Sequence, residues 1–171
     1  MAKHVMLFGV SADKKGVLLF KPEQYAMWNG LNVRIDESAD IIEAASRVFK
    51  ATTTVDVQGW SRLAVIKDET LNYSVHVLFT VINEETEALL ASIHASPDGD
   101  VSWDWWDSAE LPATMHNVQW LVPLTFDRQL KRPLHVIYQS DKNKKAGSDT
   151  GAAQYPSGNR RNRRPTTAAA E

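Results

Sequence analysis

Four carboxylates fall within one short stretch, at Asp36, Glu37, Asp40 and Glu43. Oxygen ligands gathered in this way are what a hard cation such as Mg²⁺ requires, and a helix carrying side chains three and four residues apart turns them to one face. A run of charges on a helix is also the ordinary pattern of a solvated face, so the cluster by itself leaves both readings open. Further along, the residues at helical spacing are Val48, Ala51, Thr52 and Val55, one hydroxyl and no carboxylate. Histidine offers no metal site, because His4, His76, His94, His116 and His135 are scattered without ligand spacing. Cysteine is absent, which excludes disulfides and thiolate ligands and fits a reducing cytoplasm. The aromatic group Trp103, Trp105, Trp106 reads as strand packing, its rings alternating between sheet faces and Trp103 and Trp105 assigned to core.

The elements that must carry these residues are legible from periodicity. Val5 to Val10 and Gly16 to Phe20 are β-prone runs joined by the turn-forming stretch 11–15. Ser38 to Ala51 sets Ile41, Ile42, Ala45, Val48 and Phe49 at helical spacing, with Ser38 or Asp40 as the N-cap. The β-branched run Thr52 to Val55 predicts its end near Thr53. Strands are expected at Trp60 to Lys67, Tyr73 to Asn83 and Val101 to Trp106, the second buried on both faces. Glu84 to His94 is read as a helical insertion or a loop arm, and Asn117 to Gln129 as a helix that Pro123 must kink or delay.

At 171 residues the chain has room for one domain with a tail. Its 43% apolar and 23% charged residues are those of a soluble globular protein. No apolar run is long enough to cross a bilayer and no signal peptide is evident, so a cytoplasmic location is expected, without a membrane contact. The net charge of −2 divides unevenly, −6 over residues 1–139 and +4 over 140–171. The second segment is poor in apolar residues and is read as a basic, disordered tail. Its Arg160-Arg161-Asn162-Arg163-Arg164 cluster suggests nucleic acid only weakly.

Residues 32–55, NVRIDESADIIEAASRVFKATTTV, align without a gap on the box of the Nudix hydrolases. That pattern is G-G-K-x-E-x-G-E, seven arbitrary residues, then R-E-hydrophobic-x-E-E-x-G-hydrophobic. Arg34, Asp36, Arg47, Phe49 and Val55 match it in kind. Trp28-Asn29-Gly30 resembles the lead-in of MutT-type enzymes, and Trp120-Leu121-Val122-Pro123-Leu124 is similar to a stretch in small bacterial and phage-borne relatives. The resemblance covers roughly residues 3–130 and implies an α/β fold, a Nudix-like α/β/α sandwich around a mixed sheet. It also implies that Trp28, Asn29, His116, Asn117 and Trp120 line a purine pocket, where an amide pairs with the base edge and an indole stacks on its face. Trp120 could equally anchor the last helix in the core.

The departures fall on the chemistry. Ala39, Val48, Ala51 and Thr52 stand at box glutamates, and Val33, Ser38 and Thr54 at glycines. Nudix catalysis needs Mg²⁺ to polarise a pyrophosphate and position water, and the degenerate face Val48, Ala51, Thr52 has no ligand set for it. Arg47 loses its box partner to Ala39. The expectation is therefore a catalytically inactive Nudix-like protein without a metal cofactor, acting by binding a purine nucleotide or a protein partner. The alternative is a Mg-dependent hydrolase of nucleoside diphosphate linkages whose metal site has moved to Glu43 with Asp36, Glu37 or Asp40.

Overall fold

The computed structural model describes residues 1–127 and 130–138; the expected tail at 140–171 lies outside them. Seven strands and three helices follow in the order β1 (Ala2–Val10), β2 (Gly16–Pro22), β3 (Leu31–Ile35), α1 (Ile41–Thr53), β4 (Ser61–Asp68), β5 (Tyr73–Val81), α2 (Glu84–Ile93), β6 (Val101–Asp107), α3 (His116–Thr125) and β7 (Leu134–Tyr138). All the strands join one mixed sheet in the order β6-β2-β1-β5-β4-β7, with β3 also paired to β1. β1 is the hub. It runs parallel to β5 along its whole length, antiparallel to β2 at its C-terminal end and antiparallel to β3 over Lys3 to Leu7.

The alternation of β1 and β2 builds two cores. Val5, Leu7, Leu18 and Phe20 point to the side of α1, where they meet Phe49, Trp60, Leu90 and Trp103. Met6, Phe8, Val17 and Leu19 point to the other side, against Val118, Leu121 and Val122 of α3. A strand buried on both faces needs apolar residues at every position, which is why these stretches read as continuous runs. The result is an α/β/α sandwich with a mixed sheet, as the resemblance implied.

Asp40 is the N-cap of α1, accepting from the backbone N–H of Ile42 at 2.9 Å and Glu43 at 3.0 Å. The helix stops at Thr53, whose hydroxyl bonds back to the Phe49 carbonyl at 2.8 Å, and Thr54 closes it in the left-handed conformation. The segment 84–93 forms a helix capped by Asn83, with Leu90 buried. One expectation is corrected. The last helix ends at Thr125 rather than Gln129, and Pro123 lies near its C-terminal end, where it removes the bond back to Gln119 and its ring crowds that carbonyl. Strands β3, after Gly30, and β7 are not among those that the periodicity predicts.

Candidate functional site

The loop before α1 is held by groups outside the box pattern. Asp36 accepts from the Ser38 hydroxyl at 2.6 Å and the Ser38 N–H at 2.8 Å, bonds that hold its carboxyl below the usual range. The Lys3 ammonium, from β1, donates to the carbonyl oxygens of Glu37 and Ala39. Asp40 is also held low, by the Glu43 and Ile42 N–H groups that it caps. The carboxylates of Asp36 and Asp40 are thus occupied with loop and helix geometry. Glu43 opens onto a groove of about 330 Å³ along the outer side of α1, with Arg47, Lys50, Asp56 and Gln58. There Lys50 pairs with Asp56 at 3.0 Å, and Gln58 donates to Asp56 at 2.7 Å.

On the degenerate face, Val48 is half-buried against the core, Thr52 is half-buried and Ala51 is exposed. Among the described residues no group of three His, Cys, Asp or Glu side chains is placed to hold a metal ion. Thr54, at the alignment's last glycine position, has φ 65° and ψ 0°. A left-handed C-cap is where a helix favours glycine, so the backbone keeps a geometry that the side chain does not suit.

The second group assembles around a short parallel pairing of Trp28 with Thr114. Trp28 N–H donates to the Ala113 carbonyl at 3.0 Å and its carbonyl accepts from Met115 at 2.9 Å. These bonds draw Trp28 to the start of α3, where His116 is exposed and Asn117 half-buried. The Asn117 amide reaches the sheet, 3.4 Å from the Met6 sulfur. Asn29 is buried beside Phe20, and its side-chain oxygen accepts from the Gly30 N–H at 2.8 Å, leaving its NH₂ as the available donor. Trp120 packs on the α3-side core, in keeping with the anchoring role.

Two further residues join this group, Lys21, which the sequence pattern does not single out, and Trp106, which it assigns to strand packing. Lys21 places its ammonium 4.9 Å from the centre of the Trp28 ring, and Trp106 meets that ring edge-on at 5.4 Å. The signal was available in the alternation of β2, since Lys21 shares a face with Val17 and Leu19, the face of Trp106 on β6. Trp103 is a core residue, its indole N–H donating to the Leu90 carbonyl at 2.9 Å, and Trp105 packs on the same side.

No family's sequence pattern and no curated protein matches the chain. Solved structures do. The chain is similar to the MutT mutator protein of Bacillus halodurans at 14% identity and a TM-score of 0.58, over 81% of this chain and 90% of that one. A Nudix hydrolase from Nitrosomonas europaea matches at 13% identity and 0.58, over 80% of this chain and 78% of that one. The Nudix domain of Shewanella oneidensis NrtR, solved with ADP ribose, matches at 16% identity and 0.54, over 74% and 87%. The chain carries the Nudix fold, and at these identities the likeness speaks for the fold alone.

Proposed function

We propose that this chain is a Nudix-fold binding protein that holds a purine nucleotide without a metal and does not cleave it. The observation that carries the reading is the contrast between the two groups. The helix turn at 48–52 offers no carboxylate to a metal, while Lys21 lies over Trp28, Asn29 follows Trp28 in the chain, and the Trp28 backbone is bonded to the start of α3, which carries Asn117. A stacked base, an edge read by amide N–H groups and a phosphate near an ammonium need no metal. A domain of the same fold has been solved with ADP ribose bound, so the fold can accommodate a nucleotide.

Calorimetry with a panel of nucleotides, in Mg²⁺ and again in a chelator, tests this. The expected result is micromolar binding of purine nucleotides that survives chelation, roughly tenfold weaker in Trp28→Ala and Asn117→Ala, with no phosphate release. Mg²⁺-dependent phosphate release that disappears in Glu43→Gln would instead establish the hydrolase with a relocated site.

A further inference from the structure

Among the described residues, three strands of the sheet are paired along one side only: β6, β3 and β7. Such an edge presents a row of unpaired N–H and carbonyl groups, and proteins that stay monomeric block it with charge, proline or a covering segment. β6 is blocked twice. Trp103 N–H donates to the His94 carbonyl and Ser96 N–H to the Val101 carbonyl, which lays 94–96 along its first half, and the exposed acids Asp104 and Asp107 follow. β3 carries the exposed Arg34. β7 reads Leu134-His135-Val136-Ile137-Tyr138, without Lys, Arg, Asp, Glu or Pro, and its Ile137 and Tyr138 are 60% and 48% exposed.

The backbone of β7 restricts what can lie against it. Glu69 N–H donates to the Tyr138 carbonyl at 3.4 Å, which turns the backbone groups of Tyr138 toward β4. In a parallel pair alternate residues bond to the same neighbour, so Leu134 and Val136 face β4 as well, and His135 and Ile137 hold their N–H and carbonyl groups over the open edge. An antiparallel strand must set outward-facing residues of its own against these two. A second copy of β7 does so about a two-fold axis at Val136. His135 and the partner's Ile137 then form one bonded pair, Ile137 and the partner's His135 the other, and each pair exchanges two N–H···O bonds. An axis at His135 would instead set Ile137 against the partner's Pro133, which has no N–H to give.

The side chains agree with that register. Leu134 and Val136 pack against the α3-side core, and Tyr138 shares their side by alternation. Across the axis Val136 meets its own copy and Leu134 meets the partner's Tyr138, so this core runs on into the second sheet. On the other side His135 meets the partner's Ile137, and no two like charges are opposed. We propose that β7 pairs antiparallel with β7 of a second copy, centred on Val136, to give a two-fold dimer with one continuous sheet. The strand has five residues, about 17 Å, and buries less than the roughly 1,200 Å² of a stable interface, so the dimer is weak and concentration-dependent. A two-fold pairing closes at two copies, whereas β7 against β6 would repeat without end.

Sedimentation velocity of the full-length chain over about 1–300 µM should show a monomer–dimer equilibrium with a dissociation constant of about 10–100 µM. Ile137→Lys puts a charge on the open edge at an exposed position; it should leave the melting temperature unchanged and weaken the dimer by about tenfold or more. The register is read separately with single cysteines, since the chain has none. Val136→Cys brings its two sulfurs to a non-bonded antiparallel pair with Cα atoms about 4.5 Å apart, within disulfide reach, whereas in Ile137→Cys they are about 8–9 Å apart, beyond it. Under mild oxidation Val136→Cys should cross-link the faster, although Val136 is the less exposed of the two. A chain that stays monomeric at every concentration would overturn the proposal and leave the edge to residues 139–171 of the same chain. Assembly beyond two copies, a dimer untouched by Ile137→Lys, or cross-linking of Ile137→Cys as fast as that of Val136→Cys would overturn it too.

Discussion

At the scale of single residues, the box alignment leaves its mark on the backbone more than on the side chains. Thr54 holds φ at 65°, a conformation that costs an L-residue about 1–2 kcal/mol, and its β-branch adds crowding. Glycine there would remove that cost and give back part of the gain through a freer unfolded chain. Thr54→Gly is expected to stabilise the fold by about 0.5–1 kcal/mol, a rise in melting temperature of about 1–4 °C for a domain of this size. A lower melting temperature would mean that the Thr54 hydroxyl bond to the Thr53 carbonyl, 2.6 Å long, matters more than the torsion. Gly30 makes the opposite case. A Cβ on it would sit 2.8 Å from Met6 Cγ, 2.9 Å from Phe8 Cζ and 3.1 Å from the Leu7 carbonyl oxygen. Met6 and Phe8 are buried and cannot swing away. Gly30→Ala should cost about 1–3 kcal/mol by overpacking and, through the neighbouring Asn29, weaken nucleotide binding in the same calorimetric assay.

At the scale of elements, the question is whether α1 could be made to hold a metal again. Val48→Glu, Ala51→Glu and Thr52→Glu together would place three like charges on adjacent turns, each pair costing a few tenths of a kcal/mol where exposed. Val48 also packs against the core, so its replacement removes apolar contact as well. The triple variant should melt lower than the parent in a chelator and recover part of the loss in Mg²⁺ or Mn²⁺, because a ligand that binds only the folded state stabilises it. Equal melting with and without metal would refute the register in which 48, 51 and 52 replace box glutamates.

The helix α1 could be read from the sequence because a cap, a helical apolar stripe and a β-branched stop agree over 40–54. The double burial of β5 was readable from Val75, Val77 and Phe79 on one side and Leu78 on the other, although Ser74, His76 and Thr80 share that second side. β3 was hidden because Leu31, Val33 and Ile35 alternate with polar Asn32 and Arg34 over too few residues to outweigh the glycine beside them. β7 follows Pro133 and a basic pair, and only its parallel pairing with β4, invisible in local sequence, makes Leu134 to Tyr138 a strand. The site was partly legible. Trp28 and Asn117 could be named from their chemistry and resemblance, whereas Lys21 and Trp106 enter only through the face they share across β2 and β6.

At the scale of the whole molecule, two histidines on opposite faces of one sheet link its stability to pH. His4, on β1, is held below its usual range by burial and then by Arg34, against the raising effect of its bond with Asn32; its ring meets Tyr73 edge-on at 6.3 Å. His76, one strand over, is lowered by burial and by three cations. Both therefore remain neutral in the folded chain at a pH where the unfolded chain has begun to protonate them. The unfolded state then binds more protons, so stability rises with pH through that window. Their contribution is complete above the unfolded value of 6.5 and is lost as pH falls through the lower folded values. The lowered carboxyls of Asp13, Asp36, Asp40, Asp56 and Asp98 act in the same direction only nearer their ordinary value of 3.8. Between about pH 6.5 and 5 the decline thus belongs to His4 and His76. The parent's melting temperature should fall over that interval, and in His4→Gln with His76→Gln the fall should be shallower, whatever the variant's absolute stability. Parallel curves for the two proteins would show that neither imidazole is kept neutral by the fold, and that burial within the sheet does not set the acid limit of this molecule.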